Sequence, residues 1–148
     1  MTEVETFFKA TSRKRKIRAV KEEATRLHSV IVRATKGPRC QDGCGQVATD
    51  CAHIIPRVFS HTRTDEDNAF ALNAACHRRY TNHADEWVSF CFSTIGEQEY
   101  DRLKRKALDG VNVKFDWYDE LDRLKAVAAS PRVAARIEAL RGAAGRPL

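Results

Sequence analysis

From Ser12 to Ala34 the apolar side chains fall at Ile17, Val20, Ala24, Leu27, Ile31 and Ala34, at intervals of three and four. That rhythm predicts an amphipathic helix. Ser12 is positioned to cap its start, although Arg13, Lys14, Arg15 and Lys16 would then oppose the helix dipole unless they meet phosphate. The β-branched run Val30–Val32 is equally compatible with the start of a strand. Gly37-Pro38 ends the helix. Residues 39–50, RCQDGCGQVATD, are rich in Gly and Asp and suit a tight metal-binding turn. Cys51–Val58 reads as a short strand, followed by a polar loop from Ser60 to Asp67 and a second extended piece, Asn68–Leu72. Residues 74–92 read as a helix with Cys76, Tyr80, Trp87, Val88 and Cys91 on its apolar side. Glu97–Leu108 is a further helix, closed by Asp109-Gly110. A last helical pair, Trp117–Ala129 and Arg132–Leu140, is split by Ser130-Pro131 and packs through Tyr118, Leu121, Leu124 and Ala128. The expected class is α+β, mostly helical. A ββα finger at 39–95 lies between a basic helical arm (1–38) and a C-terminal helical extension (96–148).

Charge sharpens this picture. The 148 residues carry a net charge of +6, and residues 1–39 hold 11 of the 26 Lys and Arg but 4 of the 20 Asp and Glu. The remainder is close to neutral, so the basic excess sits in the N-terminal quarter. Such concentration points to an anionic partner, nucleic acid ahead of membrane. No run of 18 apolar residues is present, and the start of the chain lacks a continuous apolar stretch of the signal-peptide kind. A cytoplasmic, reducing location is expected. There the five cysteines serve better as metal ligands or buried thiols than as disulfides.

Cys40 and Cys44, three residues apart, can turn two thiolates toward one Zn²⁺. Cys51 and Cys76 complete a four-thiolate inventory, each alternatively a small buried side chain. Cys91 lies in the apolar stretch WVSFCF and reads as a core thiol. His61 and His83 read as surface residues, and His28, inside the basic helix, has no evident partner.

The order of these pieces resembles the HNH, or ββα-metal, family of endonucleases, closest to small phage HNH proteins including the NinG-like recombination group. The resemblance covers about residues 40–108. It rests on Cys40-x3-Cys44, on CAHIIPR at 51–57, on Thr62-Arg63 with Asp65, Asp67 and Asn68, on Leu72 and Cys76-His77, and on Ile95-Gly96 with Tyr100 and Leu103. It implies a β-hairpin and helix around one catalytic divalent ion, beside a structural zinc. His53 then corresponds to the general base, Asn68 to the asparagine that ties down the loop, and His77 to the helix-borne ligand of the catalytic ion. That ion would be Mg²⁺ or Mn²⁺, with Ni²⁺ also chemically suited, and His53 would lie against it. Arg57 and Arg63 are suited to gripping phosphate, as are Arg13, Lys14, Arg15 and Lys16 on the arm.

Two departures stand out. Ala52 replaces the acid that many relatives carry before the base histidine, so the ion either has fewer protein ligands or takes one from His61, Asp65, His83 or Asp85. Asn73 replaces the first cysteine of the second zinc pair, and Cys51 is the expected fourth ligand beside Cys40, Cys44 and Cys76. The resemblance implies hydrolysis of duplex or branched DNA to 5′-phosphate and 3′-hydroxyl ends, in phage recombination, packaging or processing. The competing expectation, favoured by Ala52, is a zinc-stabilised DNA-binding scaffold with little or no catalysis. The stripe from Ile17 to Ala34 permits a homodimer or packing on the finger.

Overall fold

The computed structural model describes residues 1–144, so the last four residues of the expected C-terminal extension lie outside the described residues. Helix α1 runs over Glu3–Lys36, strand β1 over Asp50–His53, the single turn α2 over Ser60–Arg63 and strand β2 over Ala69–Leu72. Helices α3 (Ala74–Asn82), α4 (Ala84–Ile95), α5 (Glu97–Asp109), α6 (Trp117–Ala129) and α7 (Pro131–Ala144) follow. The protein is mostly helical with one two-stranded antiparallel sheet, which makes it α+β. Among the described residues no helix is long and apolar enough to cross a membrane.

Several expected boundaries move. Helix α1 begins ten residues earlier than its apolar stripe suggests, because Thr2 and Glu5 form a reciprocal capping box with bonds of 3.1 and 2.8 Å. Ser12 is therefore an exposed mid-helix residue, not a cap, and Arg13–Lys16 lie in the helix interior behind an acidic first turn of Glu3 and Glu5. Val30, Ile31 and Val32 are helical and buried, since α1 is enclosed on more than one side. Strand β1 stops at His53, short of Val58. The long helix expected over residues 74–92 is two helices that meet at His83. Gly96 separates α4 from α5 at φ +84°, a backbone state that an L side chain resists. On α6, Trp117 takes the core position expected for Tyr118, which is exposed.

Helix α1 is the spine. One side packs through Ala24 and Ile31 against Trp117, Leu121 and Leu124 of α6, and Val30 and Ala34 meet Ile137 of α7. The Ile17–Ala34 stripe thus packs on α6 and α7 and not on the finger. Another side of α1, at Val32, meets Ala48, Cys51, Ala69 and Ala71 on one face of the hairpin. The opposite hairpin face, Ala52, Phe70 and Leu72, joins Cys76, Tyr80, Cys91, Leu103 and Ala107 of α3–α5. The register pairs Cys51 with Ala71 and His53 with Ala69, so strand alternation sends Cys51 and His53 toward α1, and Ala52 toward α3. Arg123 anchors α6 to the loop before β2 by bonds to both Glu66 oxygens (3.0 and 2.9 Å) and to the Thr64 carbonyl (3.1 Å).

Leu124 is fully buried between α1 and α6, so Leu124→Ala is expected to cost about 2–5 kcal/mol in urea unfolding. A decrease below about 1 kcal/mol would mean that α6 does not seal α1.

Candidate functional site: a histidine cleft beside a cysteine knuckle

His53 ends β1, and its ring is fixed from the loop that follows. Its Nε2 lies 2.8 Å from the Arg63 carbonyl. A carbonyl only accepts, so Nε2 carries the proton and Nδ1 keeps its lone pair. The loop is held in turn by Asn68, which is fully buried. Its Oδ1 accepts from the Ile55 amide (2.8 Å), and its Nδ2 donates to the carbonyls of Ile55 (3.0 Å) and Thr62 (2.9 Å). Thr62 immediately precedes Arg63, so the amide sets the position of the carbonyl that orients His53. Burial, reinforced by the nearby charges of His28, Arg57 and Arg63, outweighs the carbonyl hydrogen bond and lowers the His53 pKa to about 4.

His77 projects from the first turn of α3. Its Nδ1 lies 2.9 Å from Oδ2 of Asp50 on β1, which leaves Nε2 available. His53 and His77 line one cleft of about 100 Å³ with Tyr80, Thr81 and Trp87. Neither His61, Asp65, His83 nor Asp85 lines that cleft. Asp65 is paired with Lys106 at 2.5 Å, and His61 bonds the Val113 carbonyl at 3.1 Å and stacks edge-on to Phe115. The carboxylate next to His77 is instead Asp50, two residues before Ala52 and absent from the expected substitutes.

A second group lies at the knuckle between α1 and β1. The metal-binding atoms of Cys40, Asp42, Cys44 and Cys76 are all within 4.8 Å of one another, a set able to hold a metal such as zinc. Gly43, at φ +81°, makes the tight turn between the first two cysteines. The Asp42 carboxylate accepts from Cys40 Sγ (3.1 Å) and the Cys44 amide (2.9 Å). Burial opposes its charge, but hydrogen bonds from the three thiols and that amide prevail and hold it at about 2. The expected assignment of Cys51 to this group is corrected: Asp42 occupies the fourth position, and Cys51 faces α1. Asn73, where the resemblance implies a cysteine, caps α3 by accepting from Ala75 N (3.0 Å), and its backbone N–H donates to Cys40 Sγ (3.1 Å).

Cys51 belongs to a third group, with His28 and His53. One nitrogen of each ring and the thiol lie within 4.8 Å of one another. His28, without an evident partner in the sequence, is fully buried; its Nε2 lies 3.0 Å from the Asp65 carbonyl and its Nδ1 3.9 Å from Cys51 Sγ. Burial lowers the His28 pKa and raises the Cys51 thiol to about 12, against the pull of Lys36, Arg33 and Arg57. Cys91 is a core thiol, as expected, and burial raises it to about 12.

Arg57 is exposed, and Arg63 is half-buried with its Nε on Thr25 Oγ1 at 2.9 Å. Arg13, Lys14, Arg15 and Lys16 are exposed along α1. Set against family models, curated proteins and solved structures, the chain matches none of them.

The depressed His53 pKa has a direct readout. Between pH about 6.5, the ordinary histidine value, and pH about 4, the unfolded chain takes up a proton that the folded chain refuses. The contribution of neutral His53 to stability is therefore complete above pH about 6.5 and declines as pH falls through that window. An NMR titration without added divalent ions is expected to place the His53 ring midpoint near 4. A midpoint at the ordinary value of about 6.5 would contradict the burial argument.

Proposed function

We propose that the chain is a metal-dependent endonuclease of the HNH type, cleaving DNA phosphodiester bonds to 5′-phosphate and 3′-hydroxyl ends. One observation carries the reading: His53 and His77, from different elements, line a single cleft with complementary tautomers. His53 is neutral at pH 7, its proton is engaged by the Arg63 carbonyl, and Nδ1 is free to take a proton from attacking water. Asn68 is a positioning residue, acting on His53 through the loop.

The donor set suits a divalent ion. His77 offers Nε2, and the Asp50 carboxylate fixes its ring from behind, the arrangement in which metal-bound imidazoles are usually supported. Mg²⁺ or Mn²⁺, with Ni²⁺ as a further candidate, would neutralise phosphate charge and stabilise the leaving 3′ oxygen. Arg57 and Arg63 stand near His53 and would hold phosphate oxygens at the cleft. The exposed bases at 13–16 would bind the duplex backbone. Zinc at Cys40, Asp42, Cys44 and Cys76 would brace the start of β1 and α3, the two elements that carry the histidines.

Supercoiled plasmid incubated with Mg²⁺, Mn²⁺ or Ni²⁺ is expected to be nicked. His53→Ala should slow nicking by roughly 10²–10⁴-fold, the usual contribution of a general base. Equal and negligible nicking by wild type and variant in every metal would leave a zinc-braced DNA-binding scaffold as the better reading. Replacing Arg13, Lys14, Arg15 and Lys16 with Gln should flatten the salt dependence of DNA affinity, by about 0.9 in log–log slope for each phosphate no longer neutralised. An unchanged slope would place DNA elsewhere on the surface.

A further inference from the structure

We propose that His28, Cys51 and His53 form a second metal site, on the α1 side of the hairpin, that takes a borderline divalent cation such as Zn²⁺. The three donors come from two elements and meet only through tertiary packing. Strand alternation turns Cys51 and His53 toward α1, and His28 meets them there. Each imidazole has its Nε2 proton engaged by a backbone carbonyl of the same loop, Asp65 for His28 and Arg63 for His53. Both rings are thereby oriented with Nδ1 unprotonated, and Nδ1 of His28 already faces the Cys51 thiol, as carbonyl-bonded metal ligands are set.

Tetrahedral zinc, with bonds of about 2.0 Å to nitrogen and 2.3 Å to sulfur, holds its ligand atoms roughly 3.4–3.6 Å apart. The His28 Nδ1–Cys51 Sγ separation of 3.9 Å is already near that value. On binding, Zn²⁺ replaces the Cys51 thiol proton, which leaves to solvent, while both neutral rings donate lone pairs. Two nitrogens and one sulfur suit zinc and cobalt and disfavour Mg²⁺, which prefers oxygen. His53 also lines the cleft, so its ring is the one side chain shared by the two sites. An ion held there takes the His53 lone pair, so its occupancy opposes the base role in cleavage.

The proposal does not depend on nuclease activity, because its readout is metal stoichiometry and spectrum. Purified full-length protein, its zinc content first measured and ions outside the knuckle removed with a mild chelator, is titrated with Co²⁺ and followed by thiolate-to-cobalt charge-transfer absorption. Wild type is expected to add one thiolate-bound Co²⁺ per chain. Cys51→Ser should abolish that absorption, His28→Asn should weaken binding at least tenfold, and His77→Ala should leave the absorption intact. Circular dichroism of the nearly isosteric Cys51→Ser variant checks that its fold persists. The proposal is overturned if wild type shows no charge-transfer band, if Cys51→Ser retains it, or if His77→Ala alone removes the bound cobalt.

Discussion

The arrangement of the cleft depends on one buried amide. Asn68 has no exposure to solvent, and it commits both ends of its side chain to backbone groups of the segment that joins the two strands. Each such bond contributes only about 1 kcal/mol net, but leaving a buried partner unmet costs about 1–3 kcal/mol. The clamp is thus more important for geometry than for stability. It brings the chain after Ile55 back toward β2, so that the carbonyls of Arg63 and Asp65 reach His53 and His28. Among the described residues no buried side-chain nitrogen or oxygen lacks a partner, so nothing competes with this arrangement.

The hairpin is four residues long on each strand, yet both of its faces are covered, by α1 on one side and by α3–α5 on the other. A two-stranded ribbon has little stability alone. Here it is held between helices, and its two faces carry different chemistry. Ala52 packs in one cluster with Cys76 of α3, and Asp50, on the same strand face, bonds His77. Cys51 and His53 lie on the strand face that α1 covers, where they meet His28, and His53 also borders the cleft. The long basic helix therefore does more than carry charge, because its middle forms the wall behind His53.

Much of this is legible in the sequence. The spacing of Cys40 and Cys44, the CAHIIPR segment, Asn68 and Cys76-His77 locate the hairpin, the helix after it and the histidines that line the cleft. The misplacement of Cys51 has a visible cause. Residues 51 and 53 share one face of a strand, and Ala52, the only one of the three that packs with Cys76, shares the other. Strand parity, weighed together with the count of thiols, turns attention to Asp42, which sits inside the knuckle itself. His28 is harder to see, because its meaning depends on the loop at 63–65 and on Cys51, both distant in sequence. A weak signal exists: His28 lies one turn before Val32, the α1 residue that meets the hairpin, and so falls beside the stripe that faces α6. Asp50 is masked by the expectation of an acid adjacent to His53.

One hard divalent ion between His53 and His77, apart from any zinc held by thiolates, is what the nuclease reading requires above all. Crystals grown with Mn²⁺, with diffraction recorded at energies where manganese and zinc scatter distinctly, would locate each ion. A manganese peak is expected in the cleft bordered by Tyr80 and Trp87, with His77 Nε2 as a ligand and Asp50 behind it. Manganese found only at other positions, with the cleft holding nothing but solvent, would contradict that reading.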